Sequence, residues 1–578
     1  MKNKNPETAN ENKKEKRLVT SALPYINNLP HLGHIVGSHL PADVFARFSR
    51  LRGYETVFVG GTDDHGSASE IAAEKLGIEI NKFAKKLNEE HAKIYRWFNI
   101  SYDNFSRTSS ETHYETTKDF FRVLDEKGFI EEDTMKVFYS PEEDRFLADR
   151  YVEGECPECG FKEANADQCE KCTSLMDPTK LINPHSKISG KAVELKETRH
   201  LFFRLDKVSN DLDIWIKSNT HWKKQVSSLA LSWIKKGLKK RPITRDLKNG
   251  IPVPKKGYED KVFYVWFEAP IGYLSATKEL RKDWEKFWIK HEDKDKENSK
   301  IFNFLGKDNI PFHTIFWPGT QIAHEEIKLA YNVIGMQYFN YQGGKFSKSK
   351  KRGVFCGNLS KTGISPDIWR AYLIHAIPEK ADTEFRWDDF KERINSDLIG
   401  NFGNYINRSL SFVFNKFDGA VEKPDKNDLE KIDENFIEKT NKLINKITNN
   451  LENCNIREAY NEFLELSTEG NKYLSETAPW ELVKKDQKRA EVVLYNCLEL
   501  TRKLAVVCKV FIPDTSDKIW KSLDLNKDEK NWDNVFEKNL IKKYALKKPE
   551  KLFQILTDEK IEEVKELVKE PLDIKDLF

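Results

Sequence analysis

The sequence has little that would suit a membrane or an exported protein. Its longest apolar runs, such as 504–507 and 510–513, are far shorter than the roughly 20 residues of a membrane-spanning helix. The first seventeen residues are mostly Lys, Asn and Glu and contain no apolar stretch, so no secretory signal is expected. Because 96 basic residues face 93 acidic ones, the net charge is only +3 and bulk charge does not indicate a nucleic-acid binder.

Cysteine is also scarce. Four of the eight cysteines are scattered, which excludes a secreted disulfide scaffold and favours a reducing cytoplasm. The other four form two Cys-x2-Cys pairs separated by nine residues, a spacing typical of one tetrahedral Zn²⁺ site; the alternative is four buried free thiols. Since thiolates would fill every coordination position, the predicted zinc is structural, and its ligands are Cys156, Cys159, Cys169 and Cys172.

Hydrophobic patterning predicts an α/β fold with a parallel, doubly wound sheet. A strand at Leu18–Leu23 is followed by a helix through residues 35–48, a strand at Glu55–Val59 and a helix at Ser67–Leu76, which is the order of βαβ units. We expect two further strands of this sheet at Val262–Val265 and Ile301–Leu305. The charged stretch Lys278–Lys300 between them predicts a solvated helix and loop.

The helical spacing of apolar residues from about 396 onward predicts an all-α domain at the C-terminal end. The chain therefore divides into six predicted parts. They are a disordered tail (1–17), the first half of the α/β domain (18–130), an insertion with the zinc knuckle (131–240), the second half of the α/β domain (241–340), a lysine-rich loop with a linker (341–395), and the helical domain with its tail (396–578).

Two short motifs carry candidate phosphate chemistry. In the motif HLGH, His31 and His34 are three residues apart at the start of a predicted helix, where free N–H groups favour an anion. In the motif KFSKS, Lys345 and Lys348 lie on a loop after two glycines and can reach phosphates as mobile charges. Each motif alone is a weak signal, because most such histidines and lysines are incidental.

Together, and in this order, the two motifs resemble the signatures of class I aminoacyl-tRNA synthetases, which implies a Rossmann-like catalytic domain. Four further blocks resemble the methionyl-tRNA synthetase family within that class. The sequence departs from the common pattern at Gly37 and Asp64, neither of which we assign to the chemistry. The blocks are ALPY (22–25), GTDDHG (61–66), YVWFEAPIGY (264–273) and the segment 312–318, and the resemblance runs from about residue 18 to about 485.

The resemblance implies a methionine-tRNA ligase, which activates L-methionine with ATP and then charges tRNA(Met). It implies that His31, His34, Lys345 and Lys348 are catalytic and bind ATP. Mg²⁺ is expected to bind together with the ATP. Asp308 joins them at the ATP site, and Arg245 is a weaker candidate for the same end. Asp63 is expected to pair with the substrate ammonium, although its local sequence fits a helix N-cap equally well.

The same resemblance implies a pocket for the unbranched thioether of methionine. Aromatic and apolar walls suit such a side chain, because sulfur makes favourable contacts with rings. We expect the Tyr273 hydroxyl and a His313 N–H to donate to the sulfur; without the resemblance, ordinary core residues would be the better interpretation. The predicted methionine-binding residues are Leu23, Tyr25, Asp63, Trp266, Ala269, Pro270, Tyr273, Phe312 and His313.

In the helical domain, the resemblance implies an anticodon site. Trp480 would stack on a base, while Asn404 and Arg408, four residues apart on one helix, would hydrogen-bond to it. Read without the resemblance, Trp480 fits a core position better. No membrane contact is expected, and the expected oligomeric state is a monomer.

Two other functions stay open at this point. The first is a class I synthetase of another specificity; the short insertion disfavours the editing enzymes for leucine, isoleucine and valine, and the contiguous cysteines disfavour the cysteine enzyme. The second is a zinc-knuckle tRNA-binding protein without catalysis, which the intact histidines and lysines disfavour.

Overall fold

The first apolar run forms a strand at the N-terminal side of an alternating β/α region. A computed structural model describes residues 15–147, 151–166, 169, 171–172, 178–290, 298–347, 351–526, 530–536 and 541–578. The predicted tail up to residue 14, residues 291–297 of the charged stretch, and Lys348 lie outside the described residues.

The first half of the alternating region carries three strands. β1 begins at Lys16 and buries Arg17, so the predicted tail extended two residues too far. A π-helical segment at Ile35–His39 joins the first two helices. The elements are β1 (Lys16–Ser21), α1 (Leu32–His34), α2 (Leu40–Leu51), β2 (Glu55–Thr62), α3 (Ser67–Leu76), α4 (Ile80–Trp97), β3 (Asn104–Arg107) and α5 (Glu111–Glu126).

The segment that follows builds two antiparallel sheets beside a helical pair. Its elements are β4 (Ile130–Ser140), β5 (Arg145–Leu147), β6 (Val152–Glu155), β7 (Ala164–Asn165), β8 (Ile182–Ser186), β9 (Glu194–Phe203), α6 (Ser209–Ser218), α7 (Lys224–Lys235) and β10 (Arg241–Pro242). One sheet has the order β10-β9-β4-β5, and the other, which surrounds the cysteines, has the order β7-β6-β8.

The chain then returns to the β/α region. It forms β11 (Thr244–Arg245), β12 (Val262–Phe263), α8 (Val265–Glu268), α9 (Gly272–Leu280), α10 (Glu285–Trp288), β13 (Ser299–Gly306), α11 (Trp317–His324) and β14 (Asn332–Met336). The prediction for Val262–Val265 was wrong, because β12 pairs antiparallel with β11 outside the large sheet and α8 begins at Val265. The charged stretch is also less solvated than predicted, since α10 buries Phe287 and Trp288.

A parallel sheet of order β14-β13-β1-β2-β3 forms the centre of the molecule. β1 is the middle strand, with Leu18 opposite Ile301 on one side and Val57 on the other. β2 and β3 are added on one side of β1, and β13 and β14 on the other, so the order of strand addition reverses at β1. In open α/β sheets, ligands bind at such a switch point, at the carboxyl ends of the strands. The predicted fold class is confirmed.

The remaining chain is mostly helical. It contains β15 (Phe339–Tyr341), α12 (Pro366–His375), β16 (Thr383–Phe385), α13 (Trp387–Arg393), α14 (Asn404–Lys416), β17 (Ala420–Glu422), α15 (Lys431–Glu452), α16 (Ile456–Thr477), α17 (Pro479–Lys485), α18 (Gln487–Cys508), α19 (Pro513–Leu523), β18 (Lys543–Ala545) and α20 (Asp558–Val568). A π-helical segment at Ile394–Gly403 precedes α14. The β17–β18 pair is an antiparallel exception to the predicted all-helical pattern. No helix in the described ranges is both long and apolar enough to cross a membrane.

Candidate active site, metal centre and anticodon site

Asp63 lies at the carboxyl end of β2, close to the loop that leaves β1. Its backbone N–H donates to the carbonyl of Pro24 at 2.9 Å, and its side chain is buried. Oδ1 has no hydrogen-bond partner among the described residues. Burial, and then the charges of Glu268 and Asp64, raise the pKa of Asp63 well above its usual value. A buried carboxylate with an unsatisfied oxygen is suited to receive a cation.

The alternative role of Asp63, as a helix N-cap, is wrong. The next helix, α3, begins at Ser67 and has Gly66 at its N-cap position, with φ of 98°. The side chain of Asp63 is therefore not committed to ending a helix.

A buried charge cluster lies beside Asp63, and the sequence analysis missed it. Glu268 accepts from both neighbouring imidazoles, at 3.1 Å from His65 Nδ1 and 2.7 Å from His113 Nε2. Burial opposes the ionisation of Glu268, but the two histidines outweigh burial and lower its pKa. His65 and Glu268 both stand inside the quoted blocks; His113, in α5, carries no comparable sequence signal.

His313 and Tyr273 face each other in the predicted methionine pocket. His313 Nδ1 lies 3.0 Å from the carbonyl oxygen of Asn309 and must donate to it, so Nε2 accepts from the Tyr273 hydroxyl at 2.9 Å. Burial lowers the pKa of His313 to about 4, which keeps the ring neutral near pH 7. Both groups expected to donate to the sulfur are hydrogen-bonded to protein acceptors here, and their role toward methionine stays a prediction.

The other predicted pocket residues range from exposed to buried. Trp266 and Tyr25 are 43% and 44% exposed, so they are not ordinary core residues. Trp266 meets Phe312 edge-on with ring centroids 4.7 Å apart. Ala269 and Pro270 form the turn between α8 and α9, and Leu23 packs against the start of α9. A β-bridge between Tyr25 and Asp63 brings the loop that leaves β1 to the carboxyl end of β2.

The HLGH motif forms a reciprocal cap at the start of α1. His31 Nδ1 accepts from the N–H of Gly33, while His34 Nδ1 accepts from the N–H of His31, both at 3.1 Å. A side chain at Gly33 would meet the His31 ring at 2.8 Å, which explains the glycine. The two imidazole rings lie 4.0 Å apart. One helix start therefore presents both histidines together.

The KFSKS loop meets the HLGH motif, although about 300 residues separate them in the chain. The Phe346 ring stacks on His31 with centroids 4.5 Å apart and an interplanar angle of 12°. The Nζ of the neighbouring Lys345 lies 4.9 Å from the centre of the Tyr338 ring. Asp308 follows β13 on the same side and accepts from the Tyr338 hydroxyl at 2.5 Å. Arg245 instead lies over the ring of Tyr264, 3.6 Å away.

The four predicted zinc ligands form one cluster. Each sulfur lies within 4.8 Å of the other three, and the pairs Cys156–Cys172 and Cys159–Cys169 are 3.8 and 3.6 Å apart. Tetrahedral zinc with Zn–S bonds of 2.3 Å requires sulfurs about 3.8 Å apart. The donor set and its spacing therefore fit a zinc ion.

The three predicted anticodon residues share one surface of the helical domain. Trp480 is 41% exposed, which excludes the alternative that it is a core residue. The Arg408 guanidinium lies 5.2 Å above the Trp480 ring, at a distance typical of a cation–π contact. Asn404 is exposed one turn earlier and donates to Asn471 at 3.2 Å. Trp480 and Arg408 line an open groove of about 260 Å³.

Comparisons with known proteins agree with this geometry. Residues 17–410 match the family model for class I tRNA synthetases (M), and residues 423–569 match the anticodon binding domain of methionyl tRNA ligase. The parallel sheet with the HLGH and KFSKS motifs at its carboxyl edge is accordingly the catalytic domain of a class I tRNA synthetase. Within that class, the chain belongs to the methionine family, and it is an aminoacyl-tRNA ligase.

Curated relatives and solved structures point to the same family. The chain is 41% identical over 557 residues to methionine–tRNA ligase 1 of Acaryochloris marina, which spans 95% of this chain and 98% of the relative. It is 38% identical to the cytoplasmic methionine–tRNA ligase of Saccharomyces cerevisiae, over 94% of this chain and 72% of the relative. Methionyl-tRNA synthetase of Mycobacterium tuberculosis, in complex with methionyl-adenylate, superposes with a TM-score of 0.76 at 25% identity, covering 93% of this chain and 99% of that one. The predicted family and enzyme class are confirmed, and the two alternatives are wrong.

Proposed function

We propose that this methionine–tRNA ligase works through the residues grouped at the carboxyl end of the sheet. The observation that supports this best is the stacking of Phe346 on His31, since it joins the two signature motifs. The buried Asp63 carboxylate, with one oxygen that lacks a hydrogen-bond partner among the described residues, follows β2 of the same sheet. ATP and its Mg²⁺, methionine and the 3′ end of tRNA(Met) are the proposed substrates.

In the first step, the methionine carboxylate attacks the α-phosphorus of ATP. A C(O)–O–P bond forms, the bond to the β-phosphate breaks, and pyrophosphate leaves. Asp63 holds the substrate ammonium, which fixes the carboxylate relative to ATP. Because the nucleophile belongs to the substrate, the protein contributes positioning and charge stabilisation.

Five groups serve ATP in this proposal. The histidines at the start of α1 present N–H groups and a helix N-terminus to the phosphates. The loop lysines stabilise charge that develops on the pyrophosphate as it leaves. Asp308 binds the ribose end. The proposed ATP-site residues are His31, His34, Asp308, Lys345 and Lys348.

In the second step, a ribose hydroxyl of the tRNA 3′ end attacks the activated carbonyl and AMP leaves. The anticodon is held at a distance by the groove of the helical domain. A base stacks on Trp480, and Arg408 and Asn404 fix it by hydrogen bonds.

The knuckle binds one zinc ion through Cys156, Cys159, Cys169 and Cys172. A zinc ion there would crosslink this segment and so stabilise it. The segment needs such a crosslink because its own hydrophobic core is small: among the described residues it has nine buried members, two of which are cysteines. The protein acts as a monomer in the cytoplasm; none of the eight cysteines, all of them among the described residues, forms a disulfide, which supports a reducing compartment. The predicted six-part division is part of this proposal, with its first boundary moved to the start of β1 at Lys16: residues 1–15, 16–130, 131–240, 241–340, 341–395 and 396–578.

Amino-acid-dependent exchange of pyrophosphate into ATP tests the function directly. We expect exchange with L-methionine and far less with leucine, isoleucine, valine or cysteine. Exchange driven by one of those amino acids, and not by methionine, would contradict the assignment. The same preparation should then charge tRNA(Met), measured as acid-precipitable methionine.

A further inference from the structure

Tyr338 lies between β14 and β15 and contacts two of the groups proposed to serve ATP. Its hydroxyl donates to Asp308 Oδ1 at 2.5 Å, and the Nζ of Lys345 lies 4.9 Å from the centre of its ring. Asp308 comes from the turn after β13 and Lys345 from the KFSKS loop, so a single side chain joins two separate segments of the site.

The surroundings of Tyr338 fix its position firmly. Its backbone N–H donates to Asp382 Oδ1 at 3.0 Å. On its ring lies a second cation, Lys307, with Nζ 3.7 Å from the centre. Lys307 Nζ in turn lies 3.1 Å from Asp382, so this cation is neutralised and acts as part of the frame.

Lys345 differs from Lys307 in this respect. No carboxylate within the described part of the chain lies at ion-pair distance from its ammonium group, and the Tyr338 ring is the contact that directs it. An ammonium on an aromatic face keeps its charge available to a phosphate while its flexible stem loses freedom.

The hydroxyl of Tyr338 is held as a donor. Burial, and then the hydrogen bond to Asp308, raise the pKa of Tyr338 well above its usual value. The Tyr338 hydroxyl thus fixes one oxygen of the Asp308 carboxylate.

We propose that Tyr338 is a positioning residue for ATP, which orients Asp308 at the ribose end and Lys345 at the phosphate end at the same time. This inference rests on the ATP roles proposed above for those two residues. It predicts that the hydroxyl and the ring act on different kinetic constants, since Asp308 serves ground-state binding and Lys345 serves charge that develops during the reaction.

Two substitutions separate the contribution of the Tyr338 hydroxyl from that of its ring. Tyr338→Phe keeps the ring and removes the donor; we expect the KM for ATP in pyrophosphate exchange to rise about 10- to 150-fold, the range for a hydrogen bond to a charged group, with kcat little changed. Tyr338→Leu removes the ring as well, and kcat should fall by a further factor of about 2 to 5. The KM for methionine and the Tm should stay at the parent values in Tyr338→Phe.

A matched control is Tyr331→Phe. Tyr331 also lies under a lysine, with the Nζ of Lys300 4.6 Å from its ring centre, but it stands near the opposite end of β14. We expect this variant to show the parent kinetics. If Tyr338→Phe leaves the KM for ATP unchanged, or raises the KM for methionine equally and lowers Tm, the positioning role is wrong.

A binding measurement keeps this inference separate from the proposed function. Titration of ATP into the parent and into Tyr338→Phe gives dissociation constants without any reaction. Weaker ATP binding by the variant would support the role of Tyr338 even if the parent failed to exchange pyrophosphate with methionine. Equal dissociation constants would overturn it even if the parent were fully active.

Discussion

The candidate binding residues of the catalytic domain and of the helical domain differ in their exposure to water. Beside the proposed methionine pocket, titratable groups are buried together: Asp63, Glu268 and His65 are each at most 5% exposed. In the helical domain, Trp480 is 41% exposed, with Arg408 stacked on it at the surface. A small charged ligand is selected where water is excluded, whereas a nucleotide base needs an aromatic face that it can reach.

The difference has a consequence for mutation. Changes in the buried cluster alter both charge balance and packing, so their effects should be large and should depend on pH. Changes at the exposed groove should leave the fold and the amino acid chemistry unaffected. Four experiments, ordered from the largest expected free-energy effect to the smallest, test this contrast.

Removal of zinc should have the largest local effect. Structural zinc contributes roughly 10 kcal/mol or more to the folding of small domains, so the segment around the four cysteines should lose its order when a chelator extracts the metal. We expect four newly titratable thiols, faster proteolysis within residues 151–186 and a loss of exchange activity. Metal-free protein with four reactive thiols, full activity and unchanged proteolysis would show that the knuckle is dispensable.

Asp63→Asn should have the next largest effect, confined to the catalytic domain. Loss of one partner of a buried, hydrogen-bonded charge pair costs about 2–5 kcal/mol, which corresponds to a loss of roughly 30-fold to several thousandfold in methionine affinity. Isothermal titration with methionine measures this, and titration with ATP provides the control. Equal weakening of both ligands would point to misfolding of the domain.

Trp480→Ala should separate the two domains. Stacking of one base on an aromatic side chain is worth about 1–3 kcal/mol, so kcat/KM for tRNA charging should fall roughly five- to 150-fold. Methionine-dependent pyrophosphate exchange needs no tRNA and should stay intact, and Tm should change little because the ring is exposed. Parallel loss of exchange and charging would contradict the anticodon assignment.

The pH dependence of methionine binding should show the smallest effect. The raised pKa of Asp63 means that its carboxyl takes up a proton as pH falls, and the neutral form cannot pair with an ammonium. The dissociation constant for methionine should therefore rise as pH falls below that pKa, by at most about tenfold per pH unit. The same titration on Asp63→Asn should lack this dependence, and a pH-independent parent would show that Asp63 does not hold the ammonium.

Local sequence was sufficient for several features. The alternation of strand and helix patterns from Leu18 to Leu76 predicted the first βαβ units, because burial on a parallel sheet imposes that periodicity directly on the chain. The two Cys-x2-Cys pairs predicted a cluster, since their short spacing leaves the sulfurs few other places to go. The family followed from the sequence motifs, because both their residues and their order along the chain are specific to it.

Tertiary structure decided what local sequence could not. The apolar pattern of Val262–Val265 fits a strand of any sheet, and only long-range pairing made it a short antiparallel strand followed by a helix. His113 reached Glu268 because α5 packs against α9, which follows Glu268 closely in the chain. Trp480 is exposed because α17 turns it outward. Local sequence determined the first βαβ elements and the chemistry available. Burial, exposure and the choice of partner depend on contacts between residues far apart in the chain, which no local pattern records.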